Sequence, residues 1–303
     1  MSAVRVLVTG AAGQVGVDLV STLRGEVPPG ADARWQPDGV VVPEYEFDVL
    51  GVTRHELDIT DRDALARVLG LTRPDVVVNL AAYTAVDQAE RDVESCYAVN
   101  AQATGLLSAA CASIGAHFVT VSTDYVFDGE KGSSYVEHDA LNPQGVYGAS
   151  KWAGEQLCRA EDTIVRTSWV MGVRGQSVVH VIANRAASGS SVRFVDDQTG
   201  TVTCAADLAR ALVTVVRERP GGVWHIANEG TTTWFDVARF VGRELGRGDD
   251  FATPITTAEL SPAPLAARPR RSDLDTTKWR SRWTALPDWR DGVARLLRDR
   301  AAS

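Results

Sequence analysis

Short apolar runs alternate with longer amphipathic stretches along most of this chain. Val4-Arg5-Val6-Leu7-Val8 is a β-branched run of strand length, and residues 17–24 repeat their apolar positions at helical spacing. Residues 45–52 predict a second strand, and 61–69 a helix for which Thr60 is a suitable N-cap. Residues 75–80 read as a buried strand ending in Ala81-Ala82, and a long helical stretch over 87–114 carries Asn100. A strand at 117–121 delivers Ser122-Thr123-Asp124 to its carboxyl end. A helix bearing Tyr147 and Lys151 comes next, then a strand at 163–167 with Ser168-Trp169 behind it. This alternation predicts an α/β fold, a doubly wound parallel sheet of Rossmann type that binds ligands at the carboxyl ends of its strands.

Two stretches depart from that rhythm. Residues 25–44, rich in Gly, Pro and Asp and containing Trp35, are long for a βα connection and predict a surface excursion. Beyond residue 170 the pattern is mixed: a polar loop at 196–203, a helix at 204–217, a strand at 223–227 and a helix at 234–245. The proline- and arginine-rich segment 262–271 reads either as a solvated loop or as a lid whose guanidinium groups meet phosphate. We expect residues 1–170 to form an NAD(P)-binding core. Residues 171–303 are expected to be mainly a smaller C-terminal substrate-binding lobe, with some segments returning to the core.

The cofactor expectation comes from Thr9-Gly10-Ala11-Ala12-Gly13-Gln14-Val15-Gly16, directly after the first strand and at the start of the first helix. A helix N-terminus there would face a dinucleotide pyrophosphate. Gly10 allows a tight turn, Gly13 close approach of phosphate, and Gly16 close packing of helix on strand. The spacing is G-x-x-G-x-x-G, and an ordinary βα turn would share it. Tyr147 and Lys151 lie one helical turn apart on one face. A phenol titrates near pH 10 in water, and a cation held beside it lowers that value toward working pH. The pair, with Val121-Ser122-Thr123-Asp124-Tyr125-Val126-Phe127-Asp128-Gly129 upstream, points to a reductase that protonates an alkoxide with a tyrosine.

Composition narrows the surroundings. The net charge of −8 argues against bulk attraction to nucleic acid or anionic membrane. No basic-then-apolar leader stands at the N-terminus and no apolar run reaches membrane length, so we expect a soluble cytoplasmic protein. Cys96, Cys111, Cys158 and Cys204 lack C-x-x-C spacing and read as buried thiols in a reducing compartment. Five scattered histidines show no metal-ligand pattern, and His138, near the expected site, reads as solvated.

Seven segments together resemble the dTDP-4-dehydrorhamnose reductases, extended short-chain dehydrogenase/reductases: T-G-A-A-G-Q-V-G at 9–16, L-D-I-T-D at 57–61, N-L-A-A-Y-T-A-V-D at 79–87, V-S-T-D-Y-V-F-D-G at 121–129, Y-G-A-S-K at 147–151, R-T-S-W-V at 166–170 and R-P-x-x-S at 268–272. The resemblance implies Tyr147 as proton donor, Lys151 on the nicotinamide ribose, and Thr123 on the reacting oxygen. It implies an NAD(P)H site lined by Gly13, Gln14, Val15, Asp58, Ile59, Ala82, Tyr83 and Thr84. Thr123, Asp124 and Trp169 would meet the sugar nucleotide; Arg268, in the proline- and arginine-rich segment, is a further candidate for substrate binding. The implied reaction reduces a dTDP-4-keto-6-deoxysugar to dTDP-L-rhamnose or a related antibiotic sugar such as dTDP-dihydrostreptose. A sugar-nucleotide epimerase or dehydratase is the alternative, Asp124 keeping it open. A second is a non-catalytic regulatory subunit like that of methionine adenosyltransferase. The expected state is monomer or homodimer.

Four departures from the family stand out. Thr53-Arg54 stands where an acid would bind the adenosine ribose, so NADPH is expected ahead of NADH. Asp18 occupies one position of a family Mg2+ site but has no second ligand, so no metal is expected. Val202 replaces the usual proline of the D-Q-T-G-T-V-T loop, and the segment before the second strand is longer by roughly fifteen to twenty residues.

Overall fold

β-branched and apolar residues fill the central strands because a parallel sheet is covered on both faces. In the computed structural model, which describes residues 3–26, 46–175 and 177–302, β3 (Val76–Asn79) and β5 (Thr163–Thr167) are buried throughout. With β1 (Val4–Thr9), β2 (Phe47–Val52), β4 (His117–Thr123) and β6 (Gly222–His225) they form one sheet in the order β6-β5-β4-β3-β1-β2. Every pairing in it is parallel. The chain leaves β1 toward β2 on one side and returns to β3 on the other, so the order reverses there and opens a crevice at the carboxyl ends. Thr9 Oγ1 donates to Asn79 Oδ1 at 2.6 Å and ties those two strand ends together.

On one face of the sheet, helix α1 (Gln14–Leu23) packs on the almost wholly buried helix Ala205–Glu218. Helices Arg62–Thr72 and Ala103–Ile114 cover the other face around Leu65, Leu69, Leu107 and Phe118. A second core joins helices Val178–Ala187, Trp234–Glu244 and Trp289–Ala302 to the parallel pair Val192–Val195 and Ala252–Ile255. Residues 205–225 thus return to the main sheet, whereas most of the remaining C-terminal segments build this second core.

Several predicted elements differ in detail. The helix expected over 87–114 is broken into Val86–Ala89, Val93–Tyr97, a π-helical turn at Ala98–Gln102, and Ala103–Ile114. Glu90, in the first break, accepts from the backbone N–H of Val146 at 2.8 Å and so serves the start of another helix. Asp61, not Thr60, caps the helix Arg62–Thr72, accepting from Asp63 and Ala64 N–H at 2.9 Å each. Thr60 instead donates its hydroxyl to Asp58 at 2.7 Å. The expected excursion at 25–44 and the start of the second strand at Tyr45 fall, apart from Gly25 and Glu26, outside the described residues. Cys96, Cys111 and Cys204 are buried free thiols, but Cys158 is only half-buried; His138 is exposed. No helix among the described residues is long and apolar enough to cross a membrane.

Candidate active site

The helix Val146–Gln156 carries Tyr147 and Lys151 along the carboxyl end of β4. It is held there by a buried ion pair: Arg166, on β5, meets Glu155 with a shortest contact of 2.6 Å, and Ser122 donates to the same carboxylate at 2.5 Å. Its other flank rests on the π-helical turn. Asn100 in that turn donates to Ser150 Oγ at 3.0 Å and to Tyr83 O at 3.0 Å, and accepts from Tyr83 N–H at 2.8 Å. One carboxamide therefore joins the loop after β3 to the tyrosine helix. A π turn at such a place re-aims a side chain that a regular helix would point elsewhere.

Thr123, the last residue of β4, accepts from Tyr125 N–H at 3.2 Å and donates to Asp124 Oδ1 at 3.1 Å. Its hydroxyl is also the neighbour that draws the Tyr147 phenol back toward ionisation. Burial outweighs that contact and pushes the phenol up to about 12. The expected lowering by Lys151 is thus reversed. The ammonium donates to Val121 O at 2.7 Å, and its own burial lowers it to about 8. Asp124 is buried without a cation against it, and desolvation raises it to about 7 although Ser272 and Thr123 donate to it.

The other predicted residues lie around this centre. Gly10, Gly13, Gln14, Val15 and Gly16 form the turn from β1 into α1; Ala82, Tyr83 and Thr84 follow β3. Arg54, exposed, follows β2 and lies near Asp58, whose carboxylate is held below its ordinary range first by Thr60 and only weakly by Arg54. Ile59 is buried in the core beneath. Beyond Arg54, Glu56 folds back to accept from both N–H and hydroxyl of Thr53 at 2.8 Å. Trp169 sits at the end of β5 with one face stacked on Trp234, ring centroids 4.1 Å apart. Arg268 pairs with Asp87 at 2.8 Å and, with Arg91, Arg193, Gln198 and Trp234, lines a cleft of about 590 Å³ between the two cores.

Sequence reasoning missed Ser272, Glu155, Asp87 and Glu56. Ser272 closes the R-P-x-x-S segment and donates to Asp124 Oδ2 at 2.5 Å. Its place in a quoted motif was the available signal, but its partner lies 148 positions away. Arg166 likewise opens R-T-S-W-V, and the structure gives it a role in fixing the tyrosine helix.

A dinucleotide fits the residues present. Gly10 has φ +68°, and a Cβ there would lie 2.6 Å from the backbone of Leu80 and Ala81. A Cβ on Gly16 would come within 2.2 Å of Gly10 O, so helix and turn approach as closely as the backbone allows. Gly13 caps α1 without a side chain, and the first turn holds no acid, which leaves the first-turn amides to an anion. Gln14 Oε1 is buried with no hydrogen-bond partner among the described residues. No group of three or more His, Cys, Asp or Glu able to hold a metal occurs among them.

A doubly wound parallel sheet with a Tyr-Lys helix at its crevice defines an extended short-chain dehydrogenase/reductase. Residues 40–302 match the RmlD substrate binding domain. The chain is 39% identical to the dTDP-4-dehydrorhamnose reductase of Mycobacterium tuberculosis, covering 97% of this chain and 92% of that one. With the enzyme of the same name from Burkholderia thailandensis, identity is 37% over 97% and 98% of the two chains. The crystal structure of the Bacillus anthracis dTDP-4-dehydrorhamnose reductase in complex with NADP superposes with a TM-score of 0.86. It is 30% identical, covering 99% of this chain and all of the other. The chain belongs to the dTDP-4-dehydrorhamnose reductase family.

Proposed function

We propose that this protein is an NADPH-dependent reductase of the 4-keto group of a dTDP-4-keto-6-deoxysugar, yielding dTDP-L-rhamnose or a related deoxysugar. The observation that carries the reading is the Tyr147 phenol beside the Thr123 hydroxyl at the carboxyl end of β4, where the strand order places ligands. The reduced nicotinamide supplies the hydride when bound. Gly10, Gly13, Gln14, Val15 and Gly16 hold its pyrophosphate; Arg54 meets the 2′-phosphate, and Asp58, Ile59, Ala82, Tyr83 and Thr84 line the remainder.

Tyr147 and Thr123 place O–H groups where negative charge develops on the keto oxygen, and such preorganised donors stabilise the transition state most. A phenol raised to about 12 is fully protonated at neutral pH and keeps its proton until the oxygen becomes basic. Lys151, lowered to about 8, returns a proton to the tyrosine at little cost near neutrality, with Asn100 fixing the local geometry. Arg268, Arg91 and Arg193 make the cleft beside Trp234 suitable for the diphosphate, and Trp169 borders the sugar. Residues 1–170 serve mainly the cofactor and 171–303 mainly the sugar nucleotide.

The test is NADPH and NADH oxidation, followed by absorbance, with dTDP-4-keto-6-deoxysugar generated in situ and with UDP-glucose and dTDP-glucose as controls. Consumption of NADPH that requires the ketosugar supports the reductase. Conversion of a control sugar without net cofactor consumption would replace it with the epimerase or dehydratase reading.

A further inference from the structure

A threonine hydroxyl has one hydrogen and two lone pairs. In Thr123 that hydrogen is given to Asp124 Oδ1 at 3.1 Å, and one lone pair is taken by Tyr125 N–H at 3.2 Å. So arranged, Thr123 can only accept from the Tyr147 side. A keto oxygen held between Tyr147 and Thr123 needs a hydrogen from each, so Thr123 has to give up its bond to Asp124. Ionised Asp124 competes for that hydrogen, whereas a hydrogen on Asp124 lets the bond re-form in the opposite direction. We propose that Asp124 and Ser272 are positioning residues that set the direction of the Thr123 hydroxyl: ionised Asp124 captures its hydrogen, and protonated Asp124 donates to Thr123 and releases that hydrogen to the reacting oxygen.

This inference rests on the reductase reading above, and several features support it. Asp124 is buried, and the groups that act on its carboxylate are hydroxyls and backbone N–H donors, with no cation among them. The titratable groups facing it are the phenols of Tyr125, on its own turn, and Tyr147, on the helix packed against it. Neither phenol is charged near neutrality. Two charged groups of the segment that carries Ser272 are engaged elsewhere: Arg268 with Asp87 at 2.8 Å, and Arg271 with Asp273 at 2.7 Å. Desolvation places Asp124 at about 7, so both protonation states are populated under neutral conditions. Ser272 is a fixed donor, its own N–H bonded to Thr199 O at 2.8 Å, and it favours the ionised state by donating to Oδ2. The proton on Asp124 is exchanged with solvent and not consumed, since the proton delivered to product comes from Tyr147.

The test compares pH profiles of kcat for the wild type, Asp124→Asn and Ser272→Ala. Wild-type kcat is expected to fall as pH rises through about 7. The limb at about 7 is absent from the Asp124→Asn profile, because a neutral amide donates to Thr123 at every pH; only the fall at about 8, where Lys151 loses its proton, remains. In Ser272→Ala the limb moves upward by about one pH unit, the size of one hydrogen bond to a charged group. A readout independent of turnover is the infrared carbonyl band of a protonated carboxylic acid, which should titrate near neutrality in the wild type and be missing in Asp124→Asn. A wild-type limb that persists unchanged in Asp124→Asn, or no shift in Ser272→Ala, overturns the inference while leaving the reductase reading intact. Absence of the titrating band overturns it too. A correct band in a protein that does not reduce the ketosugar instead removes the reductase reading alone. Should Asp124→Asn not fold, the Ser272→Ala profile and the wild-type band decide.

Discussion

Gly154 sets the tyrosine helix against the backbone of the π-helical turn, and an alanine there tests whether that contact sets the catalytic geometry. A Cβ at this position would stand 2.3 Å from Asn100 O, 3.3 Å from its carbonyl carbon and 3.4 Å from Thr104 Cβ. Bringing the shortest of these out to an ordinary 3.4 Å moves the helix, or the turn, by about 1.1 Å. The obstacle is backbone, so no rotamer change relieves it. Overpacking of this kind costs about 1–3 kcal/mol, against roughly 1 kcal/mol that alanine gains over glycine in a helix. Gly70→Ala provides the control: it lies in the helix Arg62–Thr72, and nothing stands within 4 Å of its added methyl. In urea unfolding, Gly70→Ala should be about 0.5–1 kcal/mol more stable than wild type and Gly154→Ala about 0–2 kcal/mol less. A 1 Å displacement of the Tyr147 helix should also lower kcat by about 10²-fold, while Gly70→Ala leaves it unchanged. If Gly154→Ala is as stable as Gly70→Ala, or keeps kcat within about threefold of wild type, the reasoning fails.

Glu155→Ala leaves Arg166 buried without its counter-charge and should cost about 3–5 kcal/mol in chemical denaturation; a change below about 1 kcal/mol would show that the pair does not fix the helix. Asp18, raised to about 7 chiefly by burial, binds more protons folded than unfolded, so its contribution to stability falls as pH rises from about 4 to about 7. Asp18→Asn should therefore stabilise the protein more at pH 8 than at pH 4.5, and an equal gain at both would contradict the shift. Arg54→Ala should weaken NADPH binding more than NADH binding in titrations of the two; parallel losses would remove the phosphate contact assigned to this arginine.

Much of the architecture was legible because burial and periodicity coincide in it. The strands at 76–79 and 163–167 are buried on both sides, and their sequences are β-branched except for Asn79 and Arg166. The glycine turn and the Tyr147-Lys151 spacing are local patterns, so the chain displays them without its tertiary partners. What escaped depends on contacts distant in sequence. Ser272 meets Asp124 across 148 positions, and Arg268 meets Asp87 across 181. The break at Glu90 and the π turn at Asn100 arise because those residues serve a different helix, which no 3.6-residue period records. Thr60 and Asp61 are both good caps by residue type. Thr60 lost because Asp58 had already taken its hydroxyl. The direction of the Tyr147 shift also escaped, because spacing reveals that a lysine is near but not that its ammonium is turned to Val121 O.

The central claim is that Tyr147 protonates the oxygen of a reduced ketosugar. Its most direct test is Tyr147→Phe, assayed for turnover of dTDP-4-keto-6-deoxysugar and, on the same preparation, for NADPH binding. The account predicts loss of nearly all turnover with cofactor affinity within about threefold of wild type, because the phenol oxygen alone is removed. Near-normal turnover by the phenylalanine variant would contradict it.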